Sequence, residues 1–188
     1  MKFQSSGLNG LVFGMHEPRG DARGEFTRLY CDQRMQDAGV SKPVVQINHS
    51  FTRQKGAIRG LHFQWPPSAE TKIIRCLRGA VWDVAVDLRA GSPTFLAWRA
   101  CELTESNRRF VVIPEGFAHG FQALSDDAEL IYLHTAPYTP EHEGGFHCFD
   151  ERLAIAWPLP VTQQSPRDQG LPRIPEDFSG IALPASSF

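Results

Sequence analysis

Between Lys72 and Thr135 the chain is a succession of short runs in which apolar and polar positions alternate, and each run ends in turn chemistry. Lys72–Leu77 gives way to Arg78-Gly79, and Val81–Leu88 to Ala90-Gly91-Ser92-Pro93. Thr94–Leu103 runs into the polar turn Thr104–Asn107, and Arg109–Ile113 into Pro114-Glu115-Gly116. Ala118–Ser125, Asp126-Asp127 and Ala128–Thr135 complete the set. Runs at about 8–12-residue spacing with no helical period between them predict an antiparallel meander closed as a sandwich or barrel, not a parallel βαβ array. One short helix is predicted over Asp32–Ala38, stopped by Gly39. From Pro158 to Pro184 six prolines forbid long helices and central strands. Residues 158–188 therefore read as an extended strap over the barrel, with Trp157, Leu159, Ile174 and Phe178 giving it something to pack with.

Composition narrows the class without deciding the chemistry. With 41% apolar and 21% charged residues the chain is an ordinary globular protein, and 188 residues suffice for one domain with a real core. No repeat, low-complexity tract or linker divides it, so a single domain is expected, with its core over about 20–157. A net charge of −2 provides no global field for nucleic acid or an anionic membrane. Met1–Met15 carries no apolar run like a signal-peptide core, and no stretch reaches the ~20 apolar residues of a membrane span. Cys31, Cys76, Cys101 and Cys148 lie far apart and read as reduced thiols of a cytoplasmic protein.

The candidate chemistry lies where a core should be. In Val81–Leu88, Trp82, Val84, Val86 and Leu88 share one face, and Val81, Asp83, Ala85 and Asp87 share the other. Two carboxylates on one face fit either a solvated sheet or a barrel with a polar pocket. The neighbouring runs favour the pocket: Arg59 and His62 sit among apolar residues, Lys72 opens an apolar strand, and His119 and Tyr132 lie on later strands. Together they are the ingredients of proton transfer beside an anionic ligand. Arg59 and His62 are three residues apart, so regular pleating points them to opposite faces. A bulge near Gly60 would bring both to one pocket.

Several motifs in order resemble the dTDP-4-dehydrorhamnose 3,5-epimerase family, the RmlC-like sugar epimerases, from about Gly20 to Ile174. They are Arg59-Gly60-Leu61-His62-Phe63-Gln64, Val84-Ala85-Val86-Asp87-Leu88-Arg89 with Ser92-Pro93-Thr94-Phe95, and Ile113-Pro114-Glu115-Gly116-Phe117-Ala118-His119-Gly120-Phe121. Shorter pieces are Asp21-Ala22-Arg23-Gly24, Gln46-Ile47-Asn48-His49-Ser50 and Ser165-Pro166-Arg167-Asp168. The resemblance implies an all-β, cupin-like jelly-roll barrel with short peripheral helices, working as a homodimer with strands exchanged between barrels. It also implies epimerisation beside the C4 ketone of a nucleotide-linked 4-keto-6-deoxyhexose, with no cofactor and no metal. By matched positions His62 would be the base, Asp168 its orienting carboxylate, Tyr132 the acid on the opposite face and Lys72 the stabiliser of the enolate oxygen. Arg23 and Arg59 would hold the diphosphate, and Gln46, Asn48, His119, Tyr138 and Glu143 would line the site. Two positions depart from the pattern: Arg28 stands where a nucleotide-contacting Glu is common, and Leu133 where Lys is frequent after the tyrosine. They bear on the base preference and on how many carbons are inverted.

Three other readings compete. A metal-dependent cupin oxygenase needs about three protein ligands, and Gln64 stands where His62 would need a partner. A 3,4-ketoisomerase would move the carbonyl by similar proton chemistry, but the Tyr132 match favours epimerisation. A sugar-nucleotide binding module would keep Arg23 and Arg59 without needing His62, Asp168 and Tyr132 together.

Overall fold

The computed structural model describes residues 1–184, so the last four residues of the expected strap lie outside the described part. In chain order the elements are β1 (Lys2–Ser5), β2 (Val12–Met15), β3 (Arg19–Asp21), β4 (Gly24–Phe26), α1 (Asp32–Gln36), β5 (Gln46–Thr52) and β6 (Ile58–Gln64). They continue with β7 (Lys72–Arg78), β8 (Ala80–Asp87), β9 (Trp98–Thr104), β10 (Arg109–Ile113), β11 (Phe117–Ala123), β12 (Ala128–His134), β13 (Glu143–Gly145) and α2 (Pro166–Gln169). One sheet runs β1-β2-β10-β7-β12-β5, a second runs β13-β6-β11-β8-β9, and β3 and β4 form a separate hairpin. These pairings are antiparallel. The two sheets face each other as a cupin-like jelly roll.

The alternating runs become strands because each has an apolar surface to bury on both sides. Between the sheets, Ile74, Val111, Ile113 and Leu130 meet Val81, Ala85, Leu103 and Phe121. On the outer side of the five-stranded sheet, Val84, Val86 and Leu88 pack under Ile155, Ile174 and Ile181 of the C-terminal segment. On the outer side of the six-stranded sheet, Ile73, Val112 and Leu133 pack under Met35 and Val40. Enclosing such side chains contributes roughly 1.5–3 kcal/mol each. Because the C-terminal segment covers one face of β8 and the opposing sheet covers the other, neither face is wet.

Asp83 and Asp87 are accordingly 2% and 0% exposed, and the solvated-sheet reading of this strand fails. Asp87 does not face a pocket either. Its carboxylate receives Arg89 Nε and the hydroxyls of Ser92 and Thr94, at 2.9, 2.6 and 2.7 Å. That bonding holds Thr94–Leu96 in a turn, so β9 starts at Trp98 rather than at Thr94. The predicted helix is likewise trimmed, with Asp37 as its C-cap and Gly39 at φ +85°. No helix of the described residues is long and apolar enough to cross a membrane.

Candidate active site

Between the sheets, at the end where β5, β6, β7 and β12 splay, lies a cavity of about 1030 Å³. His62, Lys72, His119, Tyr132 and Asp168 all line it, as do Asn48, Arg59, Tyr138 and Glu143. The five-stranded sheet brings His62 and His119, and the six-stranded sheet brings Asn48, Lys72 and Tyr132 from the opposite wall.

The predicted bulge is present. His119 of β11 stands opposite His62, but Phe121 stands opposite Arg59, so three residues of β6 span two of β11. Gly60, at φ +109°, occupies the displaced position. A Cβ there would meet the His119 carbonyl oxygen at 2.6 Å and Gly120 Cα at 2.7 Å, both backbone atoms that cannot swing aside. Gly60→Ala is therefore expected to cost about 1–3 kcal/mol, as overpacking does, read from the denaturant midpoint. A loss below ~0.5 kcal/mol, the range of an ordinary surface change, would show that the bulge does not need glycine.

His62 Nε2 lies 2.8 Å from Asp168 Oδ1, and the Gly60 N–H donates to Asp168 Oδ2 at 3.0 Å. The sequence delivers this carboxylate on a single helical turn. Ser165 caps α2, its Oγ accepting from the Asp168 N–H at 3.0 Å, and Pro166 opens the turn. The strap is thus not extended throughout, since α2 interrupts it where Asp168 enters the cavity wall. Burial pushes the Asp168 carboxyl up, but the bonds from His62 and the Gly60 amide outweigh it and hold the group below its usual range. An ionised carboxylate only accepts, so the neutral form of His62 has its proton on Nε2 and its lone pair on Nδ1.

On the opposite wall Lys72 Nζ donates to the His62 carbonyl at 3.3 Å. Tyr132 meets the His119 ring edge-on at 6.0 Å and stacks against His134. Burial pushes the Tyr132 hydroxyl well above its ordinary value, so it stays protonated at neutral pH. His119 Nε2 is bonded to Asp83 at 2.8 Å, beneath the cavity floor.

At the rim, Arg59 donates to Thr52 Oγ1 at 3.1 Å and to the Phe51 carbonyl at 2.9 Å, with its guanidinium open to solvent. Tyr138 donates to Glu143 Oε2 at 2.8 Å, and Arg167 pairs with the other carboxylate oxygen. Gln46 stands behind this lining, bonded to Asn48 Oδ1 and to the Tyr138 N–H. Arg23 is not brought to the cavity. It sits on the β3–β4 hairpin with its side chain 89% exposed and paired to Asp21, while Glu25 ties the hairpin to Arg108. Arg28 is exposed outside the cavity, and Leu133 packs in the outer core because it alternates with Tyr132.

Among the lining residues that were not anticipated, Glu70 and His134 carry chemistry of their own. Glu70 receives His134 Nδ1 at 2.7 Å and lies 3.4 Å from Lys72 Nζ. Period-two counting from Tyr132 places His134 on the same face, and the same count from Lys72 leads to Glu70. Burial pushes Glu70 up, but His134 and Lys72 together hold it below its usual range. Carboxyls depressed in the folded state add stability above their unfolded pKa and lose it as pH falls through the folded value. The share of stability these carboxyls hold should therefore be lost below about pH 4, after an earlier fall from about pH 6.5 set by buried His16, whose pKa burial lowers to about 4. Asp168→Asn should flatten only the limb below about pH 4. Identical acid slopes for the two proteins would contradict this. Among the described residues no cluster of three or more His, Cys, Asp or Glu is arranged to hold a metal ion. All four cysteines are free, and burial pushes the Cys76 and Cys148 thiols up to about 11.

Comparison with known proteins places this geometry in a family. The family model described as dTDP-4-dehydrorhamnose 3,5-epimerase matches residues 5–176. A protein of that name from Sinorhizobium fredii is 39% identical over 94% of this chain and 91% of its own length. The dTDP-4-dehydrorhamnose 3-epimerase of Streptomyces niveus is 42% identical over 90% of this chain and 82% of its own. Among solved structures, the 3,5-epimerase of Legionella pneumophila in complex with dTDP-4-keto-L-rhamnose superposes with a TM-score of 0.90. It is 37% identical and covers 97% of this chain and 99% of that one. Fold, cavity and sequence agree: the chain belongs to the dTDP-4-dehydrorhamnose 3,5-epimerase family.

Proposed function

We propose that the cavity binds a dTDP-linked 4-keto-6-deoxyhexose and inverts it at one or both of the carbons flanking the C4 ketone. The observation that carries this reading is the arrangement of acid and base. A His–Asp pair enters from one sheet, and a protonated tyrosine enters from the other side of the same cavity.

The hydrogen beside a ketone is the one a neutral imidazole can remove, because the carbanion becomes an enolate. His62 Nδ1 takes the proton, and Asp168 stabilises the imidazolium that forms, a role such pairs play elsewhere. The electron pair moves onto the C4 oxygen, where the Lys72 ammonium meets the growing charge. Tyr132 gives a proton to the opposite face of the same carbon, and inversion follows. Imidazolium and tyrosinate regain their starting states by exchange with water. Acid–base help is worth roughly 10²–10⁴ in rate, so the charge on Lys72 carries much of the remainder. Arg59 at the rim offers the planar fork that suits a diphosphate.

In this reading the chain is one domain working in the cytoplasm, where its thiols stay reduced, and residues 158–184 are the strap that supplies Asp168. It acts as a homodimer. Val45 and Ile47, at the edge strand of the larger sheet, are 55% and 62% exposed, and Phe26 on the β3–β4 hairpin is 75% exposed. Apolar edges of this kind are usually covered. Arg23, which misses its own cavity, would then serve a neighbour's. Incubation with dTDP-linked 4-keto-6-deoxyhexoses, followed by chromatographic separation of the epimers, tests the proposal. A product epimer is expected, and recovery of unchanged substrate from every candidate would refute it.

A further inference from the structure

Lys72 does not stand alone in its wall. Its ammonium lies 3.4 Å from Glu70 Oε1, and the side chains of Lys72 and Glu70 are only 10% and 8% exposed. The second oxygen of Glu70 is held by His134 Nδ1 at 2.7 Å, and the His134 side chain is 10% exposed. The far nitrogen of that ring meets Asn48 Nδ2 at 3.3 Å, and Asn48 Oδ1 accepts from Gln46 at 3.2 Å. With the His134 proton on Nδ1 the contacts run in one direction, from amide to imidazole and from imidazole to carboxylate, with the ammonium paired to the same carboxylate.

Resting on the epimerase reading above, we infer that Glu70, clamped by His134, is the positioning residue that sets the Lys72 ammonium for the substrate's C4 oxygen. A lysine ends in a compact charge on a flexible four-carbon stem, so it must be held to act at one point. The His62 carbonyl accepts one of its three N–H groups, and Glu70 faces it as an ion pair on another side. An N–H remains for the ketone oxygen. The carboxylate also supplies the counter-charge that a buried ammonium requires. Glu70 itself touches no reacting atom.

The test is a double-mutant cycle in kcat and KM using Glu70→Gln, Lys72→Ala and the double variant. Glu70→Gln keeps the shape and removes the charge. It should lower kcat about tenfold with KM changed less than about threefold, since the lost interaction acts in the transition state. In the Lys72→Ala background the same change should cost nothing further, because the residue acts through Lys72. His134→Phe, which keeps the ring stacked on Tyr132, should lower kcat several-fold, and it serves in the same cycle if Glu70→Gln does not fold. Additive losses in the cycle, or wild-type kcat in Glu70→Gln, would overturn the inference while leaving the epimerase reading intact. A wild-type protein inactive on every dTDP-linked 4-keto-6-deoxyhexose would overturn both.

Discussion

His62→Ala is expected to abolish turnover while leaving nucleotide affinity nearly unchanged. In the proposed mechanism the imidazole acts on a proton in flight, so its contribution appears in the transition state and scarcely in the ground state. Removing a general base costs about 10²–10⁴ in rate. The proposed diphosphate contact is separate: Arg59 is held by Thr52 and the Phe51 carbonyl. The kcat of the variant should therefore fall by at least about 10², with the dissociation constant for dTDP within about threefold of wild type. Retention of more than about a tenth of wild-type kcat would remove His62 as the base. The truncation also leaves the Asp168 carboxylate with the Gly60 N–H and the Asp168 N–H with Ser165 Oγ, so the strap keeps its anchor.

Tyr132→Phe is expected to separate proton exchange from inversion. The substitution removes one hydroxyl from a ring packed between His119 and His134 and changes little volume. Proton abstraction by His62 should survive, because Lys72 still polarises the ketone. The enolate is then reprotonated on the face it lost its proton from. Deuterium from D₂O should enter the sugar with little product epimer, whereas the wild-type protein couples the two. A tyrosine that merely filled the wall would leave the ratio of exchange to inversion at its wild-type value.

The fold was largely legible because alternation is a local property. β7, β8, β10 and β12 follow from apolar spacing and the turns that interrupt it. The bulge at Gly60 was legible for the opposite reason: two polar residues three apart broke the period, and glycine marked the place. What escaped depends on distant partners. Asp83 could be placed only once β11 brought His119 against β8. The outer face of β8 is dry because residues more than sixty positions later cover it. The start of β9 was misread because hydroxyls that look neutral in a strand pattern bind the Asp87 carboxylate instead. Glu70 and His134 obeyed the period that located Lys72 and Tyr132, so that part of the site was readable from spacing alone. Arg23 was matched by motif, and motif does not say in which chain's cavity a side chain ends.

The most direct measurement is proton NMR of the wild-type protein in D₂O with dTDP-linked 4-keto-6-deoxyhexoses, following each ring hydrogen in time. Loss of the signal at C3, or at C3 and C5, together with growth of the inverted epimer is the expected result. Hydrogens that stay in place on both carbons while the nucleotide sugar is bound would contradict the enolate mechanism and the epimerase reading with it.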